Sequence, residues 1–254
     1  MPPAVKPAPV PFGPGEHLEY QAKLGPVPVG DGDLRVHGLE DVRGRTAYHV
    51  SLHVEGGVPL ARVDDRQESW LDVESLTSRR FSQNLRQVRY RRNRSYEIYP
   101  EDRYFTVSDQ DGREEMITNA PLDDISFVYY ARSLPLEVGD VYRLDRYFQE
   151  DGNPVLLEVV RRDRVEVPAG TFETVVVRPV IQTSGLFGEG GEAEIHFSDD
   201  DRRLLVKLRS RVPVVGSLSL HLKNVSPGDP LTSWSPSSLE EEAEGYREAA
   251  RTPP

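Results

Sequence analysis

Residues Val165–Val225 carry the pattern that decides the fold class, and they read VEVPAGTFETVVVRPVIQTSGLFGEGGEAEIHFSDDDRRLLVKLRSRVPVVGSLSLHLKNV. Four runs of β-branched and apolar residues are separated by PAGT, by a Gly-rich segment, by SDDDRR and by the corner VPVVG. Short apolar runs divided by turn residues are typical of consecutive antiparallel strands. The stretch therefore predicts an antiparallel β-meander.

Outward from the meander, short segments alternate apolar and polar residues with the period of two that indicates strands with one buried face. The predicted strands are Glu16–Leu24, Asp33–His37, Thr46–Val54, Arg62–Leu71, Leu76–Leu85, Val88–Tyr99, Tyr104–Val107, Gly139–Phe148 and Val155–Arg161. Arg62–Leu71 has charges on both faces, which predicts a position near a sheet edge. We therefore predict an all-β protein with a mostly antiparallel curved sheet, either an open barrel or two packed sheets.

Two segments have the period of a helix instead. Pro121–Leu134 contains Asp123 and Asp124, either of which can cap a short internal helix that Pro135 ends. Ser237–Ala250 is acidic with a narrow apolar face, and it predicts a short helix that is loosely docked.

The chain ends predict flexible segments around one β domain. Residues 1–14 contain six prolines and read as an extended, flexible N-terminal segment. Residues 15–226 form the predicted β domain, and residues 227–254 a tail that carries the acidic helix. Mature envelope proteins often begin with such a Pro-rich stretch, so we expect an exported protein whose signal peptide has been removed, with a cytosolic protein as the alternative.

Two parts of the β domain resemble each other, with offsets of about 125 residues that fit a common domain size. The matching pairs are Gly15–Tyr20 with Gly139–Leu144, Val42–Val54 with Val167–Val180, and Glu68–Asp72 with Glu194–Asp200. Their order is the same in both parts, which suggests a tandem duplication with halves 15–134 and 135–226. The alternative is that any two antiparallel meanders look alike.

Composition limits the classes of partner. The net charge is −11, which argues against nucleic-acid binding because that function needs a basic face. No cysteine is present, so the chain has no disulfide and no thiolate metal site. No run of 18 apolar residues occurs, so we predict no transmembrane helix.

The main local reversal of charge lies in Ser75–Tyr96, which contains seven arginines and no acidic residue. The candidate binding residues are Arg79, Arg80, Arg86, Arg89, Tyr90, Arg91, Arg92, Arg94 and Tyr96. Guanidinium groups donate in a fork that suits oxyanions, and the tyrosines could stack. The alternative is a solvated face on which these arginines pair with nearby acidic residues such as Asp64 and Asp72.

Other motifs give no sign of catalysis. Asp199–Asp201 lacks the spacing of a calcium loop and reads as a hairpin turn. The Gly-rich Gly185–Gly191 lacks the Lys-Ser/Thr of a phosphate loop, and no histidines stand at a chelating helical spacing. His49 and His53 share a strand face about 13 Å apart, too far to hold one ion alone. We therefore assign no catalytic residue, no metal ligand and no cofactor, and we predict that the protein is not an enzyme.

Four stretches together resemble the bacterial domain of unknown function 3108 family. They are PFGPGEHLEYQAKLG, LDDISFVYYARSLPLEVGD, VPAGTFETVVVRP and FSDDDRRLLVKLRSRVPVVGSLSLHL, and the resemblance covers roughly Phe12–Val225. The resemblance implies an exported, envelope-associated, mostly antiparallel β protein in the periplasm or cell envelope. It implies no activity, so no site residue follows from it.

Three functional hypotheses remain open. The first is a non-enzymatic envelope protein that binds an anionic ligand, a lipid or an envelope protein through its sheet surface. The second is an acyl-chain carrier with a concave apolar groove lined by residues such as Tyr48, Val50, Phe172 and Val176. It rests on analogy to curved-sheet carriers of the lipoprotein-sorting type. The third is a hydrolase, which needs polar side chains that converge in a cleft.

Overall fold

The computed structural model describes residues 5–58, 61–87, 90–180, 193–212 and 216–251. Within these residues, fourteen strands and two α-helices are present. The strands are β1 (His17–Leu24), β2 (Val27–Val42), β3 (Arg45–Val58), β4 (Ala61–Asp72), β5 (Ser78–Gln87), β6 (Tyr90–Tyr99), β7 (Tyr104–Val107), β8 (Glu114–Glu115), β9 (Val141–Leu144), β10 (Val155–Val167), β11 (Gly170–Val180), β12 (Glu194–Ser198), β13 (Leu205–Val212) and β14 (Gly216–Ser226). The helices are α1 (Asp124–Ser133) and α2 (Glu240–Arg251). Neither of them is long and apolar enough to cross a membrane.

All fourteen strands of the described chain form one antiparallel sheet in the order β8-β7-β6-β5-β4-β3-β2-β1-β14-β13-β12-β11-β10-β9. β1 pairs with both β2 and β14. The sheet therefore has two arms that meet at β1, one formed by β2–β8 and the other by β9–β14. This architecture confirms the prediction of an all-β, mostly antiparallel curved sheet with one short internal helix. Of the two predicted arrangements it matches the open barrel, since the described strands form one sheet and not two packed sheets. The predicted meander after Val165 corresponds to β10–β14, while residues 213–215 of its corner and the Gly-rich Gly185–Gly191 lie outside the described residues.

The inner face of the curved sheet encloses α1, and every residue of this helix is buried. Its start follows from Asp123, whose Oδ1 accepts hydrogen bonds from the backbone N–H groups of Ile125 and Ser126, both at 2.9 Å. Such an N-cap satisfies backbone donors that a helix leaves free at its first turn. The apolar residues Ile125, Phe127, Val128, Tyr129 and Tyr130 are spread around the helix, and the sheet covers them.

The segment after β9 reaches the far arm of the sheet. Leu122 and Tyr147 form a parallel bridge, with Leu122 N–H donating to Arg146 O at 2.6 Å. The next residue, Phe148, places its ring 5.1 Å from that of Phe105 on β7. The two ends of the sheet are therefore tied together beside α1.

Part of the N-terminal segment packs against the core, which corrects the prediction that residues 1–14 are flexible. Val10 and Phe12 are each 1% exposed, and the Phe12 ring lies 4.7 Å from that of Tyr129 on α1. Ala8 N–H also donates to Val73 O at 2.7 Å. The apolar residues between the prolines bury against the core, and that gain outweighs the mobility of an extended segment. Residues 1–4 lie outside the described part of the chain.

The predicted edge position of Arg62–Leu71 is wrong, because β4 pairs with β3 on one side and β5 on the other. Its charges are accommodated by neighbouring strands. On the outer face Asp64 Oδ1 lies 3.0 Å from His53 Nε2, and on the inner face Asp65 accepts a hydrogen bond from the Gln87 side chain at 2.6 Å. Cross-strand pairing of this kind allows a highly charged strand inside a sheet.

The C-terminal helix α2 is firmly docked, which corrects the prediction of a loose one. Its Ala243 is fully buried, and Arg247 is 7% exposed. Arg247 Nε lies 2.8 Å from Asp140 Oδ2, and its Nη2 donates to the Tyr142 hydroxyl at 3.2 Å. In the sequence, Arg247 counted as a polar residue that adds nothing to the docking face of the helix. In the structure, its guanidinium binds residues at the start of β9 and holds the helix there.

The tandem duplication stays a prediction. The matching stretches fall at the starts of β1 and β9, at the β2–β3 and β10–β11 hairpins, and on β4 and β12. The two arms also run through these strands in the same order along the sheet.

Candidate functional site

The predicted Arg-rich site falls on the hairpin of β5 and β6, where successive side chains point to opposite faces. Tyr96 is 1% exposed and belongs to the core, so it marks the inner face. The predicted residues that share its face of β6 are Tyr90, Arg92 and Arg94. The predicted residues of the outer face are Arg80, Arg86 and Arg91. Arg89 lies outside the described residues.

Two of the predicted arginines already have structural partners. Arg79 is 4% exposed, and its Nε donates to Asp72 Oδ2 at 2.8 Å. Burial opposes ionisation of Asp72, yet hydrogen bonds from Arg45, the Ser75 backbone and Arg79 lower the pKa of this carboxyl to about 2. Arg80 lies 2.6 Å from Glu97 and 5.1 Å above the Trp70 ring. These contacts match the alternative in which arginines pair with acidic neighbours.

The inner-face residues are divided between the core and its polar rim. The Tyr96 ring packs 5.1 Å from that of Phe148, so it does not offer a stacking surface to a ligand on the sheet. Arg92 Nη2 donates to the Tyr96 hydroxyl at 3.0 Å, and Arg94 Nε lies 3.0 Å from Asp109 Oδ2. Tyr90 is 45% exposed at the start of β6.

The remaining predicted arginines, Arg86 and Arg91, line an open cleft of about 900 Å³ where β3 and β5 end and where β4 and β6 begin. Arg62 lines it as well, and we call this site the arginine cleft. Arg86 and Arg91 are directly opposite each other across β5 and β6, and both are exposed. Within the described part of the chain, the Arg86 guanidinium lies 3.8 Å from Asp64, whereas the side chains of Arg62 and Arg91 make no hydrogen bond or ion pair with another residue.

The arginine cleft also contains three carboxylates, but two of them have partners other than the three arginines. The acidic lining residues are Asp31, Glu55 and Asp64. Lys223 lies 3.3 Å from Asp31, and His53 Nε2 lies 3.0 Å from Asp64. Although the cleft has as many carboxylates as arginines, these carboxylates neutralise the guanidinium groups only in part.

Local contacts hold the arginine cleft in shape. Asp65, on the face opposite Arg86, accepts hydrogen bonds from the Arg86 backbone at 3.0 Å and from the Gln87 side chain. Burial raises the pKa of Asp65 despite these hydrogen bonds. On the far side, the backbones of Gly30 and Gly56 touch so closely that a Cβ on Gly30 would lie 2.0 Å from Glu55 O. Glycine is thus required at position 30, where β2 and β3 line the arginine cleft.

Sequence reasoning missed Arg62 as a partner of Arg86 and Arg91. These residues are 24 and 29 positions away from it, and they meet because β4, β5 and β6 are neighbours in the sheet. The one sequence signal is an arginine next to a predicted strand end. Such a signal is common on protein surfaces and identifies no site.

The interior of the described sheet leaves little room for an acyl chain. Tyr48, Val50 and Val176 are fully buried, and Phe172 is partly buried against the core. The void between α1 and the surrounding strands has a volume of about 10 Å³. That volume is close to the minimum for one water molecule. A carrier would therefore need to expel α1 before a chain could enter.

Polar side chains do converge at one buried point, the start of α1. Ser69 Oγ donates to Asp123 Oδ2 at 2.6 Å, Ser78 donates to the same oxygen, and the Tyr147 hydroxyl donates to Asp124 at 3.0 Å. Burial raises the pKa of Asp124 to about 6, and the charge of Asp123 adds to that rise. These groups satisfy one another around a helix cap beneath the sheet, so they do not form a cleft of the kind that a hydrolase needs.

The architecture defines the class of protein: a barrel-like antiparallel sheet that is wrapped around a buried helix. The chain belongs to the DUF3108 family, a family of proteins of unknown function whose model matches residues 19–223. This match confirms the resemblance in the sequence. A comparison with curated proteins found no significant match.

One solved structure supports the same architecture. The chain is similar to a β-barrel-like protein of the domain of unknown function DUF1849 from Brucella abortus, with a TM-score of 0.52 and 9% identity, over 86% of this chain and 99% of that one. It also matches a protein with a YmcC-like fold from Bacteroides fragilis, with a TM-score of 0.30 and 13% identity, over 87% and 100% of the two chains. With its higher TM-score, the first similarity supports the barrel-like fold and carries no information about activity.

Proposed function

We propose that this protein is a non-enzymatic envelope protein that binds an anionic ligand in the arginine cleft, through Arg62, Arg86 and Arg91. The observation that carries the proposal is the pairing of Arg86 with Arg91 across two strands. Like charges directly opposite each other destabilise a sheet. An anion placed between them converts that repulsion into binding.

The chemistry of the arginine cleft fits a phosphate-like oxyanion. Guanidinium groups donate paired hydrogen bonds to such oxygens and keep their charge at any physiological pH. A volume of about 900 Å³ also falls within the range of small-molecule sites. The shared ligand chemistry is a phosphate group, which either a free anion or a lipid head group would supply.

The location and the absence of catalysis are parts of the same proposal. The family resemblance implies an exported protein, and the envelope contains anionic lipids and polymers as ligands. The buried polar residues around Asp123 have a structural role as a helix cap, which favours binding over hydrolysis. Osmotic-shock fractionation of the native host tests the location, since release with the periplasmic fraction is expected and retention in the cytosol contradicts it.

Binding to two probes tests the ligand. Inorganic phosphate is titrated by calorimetry, and vesicles of phosphatidylglycerol or phosphatidylcholine are tested by co-sedimentation. Wild-type protein is compared with the double variant Arg86→Glu, Arg91→Glu, which is expected to bind at least about tenfold more weakly because each lost charged hydrogen bond contributes about 1.5–3 kcal/mol. The matched control is Arg164→Glu, Arg251→Glu, because both side chains are about 70% exposed and lie outside the cleft.

The outcomes separate the sources of the anion. Binding of phosphate indicates a free oxyanion, whereas binding of phosphatidylglycerol vesicles without phosphate indicates a lipid head group. Both should weaken as salt is added, because exposed charges are screened. Equal binding by wild type and the cleft variant, or no binding of either probe by wild type, would overturn the proposal.

A further inference from the structure

A β-bulge on the outer face of the sheet brings two histidines together. The register of β2 against β3 shifts between Val36 and Gly38, so His37 is the extra residue opposite His49. The two rings stack with centroids 4.6 Å apart. Their separation of twelve positions in sequence carries no chelating motif, and the bulge creates the proximity.

The hydrogen bonds of His49 determine which ring nitrogen carries hydrogen. Its Nδ1 lies 3.0 Å from Glu40 Oε1, and a carboxylate accepts only, so the hydrogen is on Nδ1. Glu40 is itself oriented by the Trp70 indole N–H, which donates to its Oε2 at 2.7 Å. The Trp70 ring stacks on His49 at 4.5 Å and 4°. A carboxylate that orients the distal nitrogen is the usual support of a metal-binding histidine.

The other nitrogen of His49 faces a second carboxylate. Nε2 is buried and has no hydrogen-bond partner among the described residues, yet it lies 3.5 Å from Glu68 Oε1. A neutral imidazole presents a lone pair at Nε2, so two acceptors confront each other. Such an arrangement needs a cation between them, either a proton or a metal ion.

We propose that His37, His49 and Glu68 form a binding site for a divalent transition-metal ion of the zinc type. One ring nitrogen of each histidine and one oxygen of Glu68 all lie within 4.8 Å of one another. Zinc bonds of about 2.0–2.2 Å place tetrahedral ligands about 3.4 Å apart. His49 Nε2 and Glu68 Oε1 already have this spacing, at 3.5 Å. His37 Nε2 lies 2.8 Å from Ser51 Oγ, so the His37 side chain must move to complete the set.

The donor set and its surroundings favour this class of ion. Two imidazoles and one carboxylate, with a fourth position open to water, are a common zinc set, and imidazole also suits copper and nickel. The ligands come from β2, β3 and β4 in the middle of the sheet, which holds them on rigid backbone.

Metal titration of the full chain, made without a polyhistidine tag and stripped with a chelator, tests the proposal. Calorimetry with Zn²⁺ is expected to show one equivalent bound. Co²⁺ is expected to give the visible absorption of a low-coordinate site, a readout on the unmodified protein that does not depend on any variant. His37→Ala and Glu68→Gln should each weaken Zn²⁺ binding at least about tenfold, because each removes one of three ligands. Glu40→Gln should weaken it about 10–100-fold by releasing the orientation of His49.

Two other histidines provide controls on the same face. His17→Ala should leave the affinity unchanged, since His17 contacts Arg35 and no carboxylate of the site. His53→Ala tests a competing location, because His53 lies near Asp33 and Asp64. Loss of binding in His53→Ala with retention in His37→Ala would overturn the proposal. So would the absence of Zn²⁺ and Co²⁺ binding by wild type, which would leave a proton as the cation between His49 and Glu68.

Discussion

Arg132 donates hydrogen bonds to both carboxylate oxygens of Glu16, at 2.6 Å from Nη1 and 2.9 Å from Nη2, and both side chains are buried. The third contact of the guanidinium is Nε, which donates to Arg203 O at 2.8 Å. One arginine of α1 thus joins the helix to the start of β1 and to the turn between β12 and β13. This bond network explains how a helix stays fixed inside an open sheet.

Removal of Glu16 should therefore destabilise the fold strongly. Glu16→Leu leaves the Arg132 charge buried and unpaired, and we expect a loss of about 3–5 kcal/mol in the free energy of unfolding, measured with urea. The double variant Glu16→Leu, Arg132→Met should recover part of that loss. Glu19→Ala, which removes one exposed hydrogen bond to Asn224, is the control and should cost less than about 1 kcal/mol. Equal losses for Glu16→Leu and Glu19→Ala would contradict the role of the pair.

Asp124 should make stability fall as pH rises through its folded pKa. Burial raises that pKa to about 6, above a usual value near 4, so the folded protein holds this proton more tightly than the unfolded chain. The contribution of protonated Asp124 to the free energy of unfolding is fully present below about pH 4, and it is lost as the pH rises through about 6. Asp124→Asn should therefore gain about 3 kcal/mol relative to wild type between pH 4 and pH 7. Urea unfolding at both pH values checks this, and a difference that does not change with pH would refute it.

Phe12 should contribute as much as a core residue although it lies in a Pro-rich segment. Its ring packs against those of Tyr48 and Tyr129, so Phe12→Ala is expected to cost about 3–5 kcal/mol. Val5→Ala is the matched control, because Val5 is 50% exposed and should change stability by less than about 0.5 kcal/mol. Thermal or urea unfolding distinguishes the two, and a small effect at Phe12 would mean that the segment is not part of the core.

Arg247 should hold α2 on the sheet. Arg247→Ala removes contacts to Asp140 and Tyr142 and is expected to lower the free energy of unfolding by about 1–2 kcal/mol. The loss is kept this small because another partner, Glu240, is about half exposed and contributes little. Hydrogen exchange of α2 should accelerate more than that of the central strands. Arg251→Ala is the control, since Arg251 is 70% exposed and 3.6 Å from its nearest partner. Unchanged exchange in Arg247→Ala would show that apolar contacts alone dock the helix.

Arg91 should affect stability and binding in opposite directions. Arg91→Gln removes the like-charge repulsion with Arg86, so the fold should gain about 0.2–1 kcal/mol while phosphate or phosphatidylglycerol binding weakens. Arg80→Gln is the contrasting variant, because its ion pair with Glu97 should make it neutral or slightly destabilising. Destabilisation by Arg91→Gln, measured by urea unfolding, would mean that Arg91 supports the sheet instead of a ligand.

Local patterns were sufficient for the elements themselves. The turn residues between apolar runs predicted the meander of β10–β14. Asp123 or Asp124, followed by apolar residues and Pro135, predicted α1, and the structure selects Asp123 as its cap. Both signals arise within a few residues, through backbone dihedral preferences and nearby hydrogen bonds. Asp199–Asp201 likewise forms the predicted turn, in which Asp200 accepts a hydrogen bond from the Ser198 hydroxyl.

Long-range placement was not available from those patterns. The charges of β4 suggested an edge, yet their partners on β3 and β5 allow an interior position. The prolines around Phe12 predicted a flexible segment. The Phe12 ring instead packs against Tyr129 on α1, which is more than a hundred residues away in sequence. In both cases the deciding energy comes from contacts that no window of sequence contains.

The sequence by itself determined an all-β, antiparallel protein with one internal helix, an excess of negative charge and an Arg-rich pair of strands, because composition and period are local properties. Tertiary structure alone decided which arginines are available. It buried Arg79 with Asp72, turned Arg92 toward Tyr96, and set Arg86 and Arg91 side by side in the cleft. It also brought His37 to His49 through one bulge. A side chain's face and neighbours depend on strand register, and register is a property of paired strands.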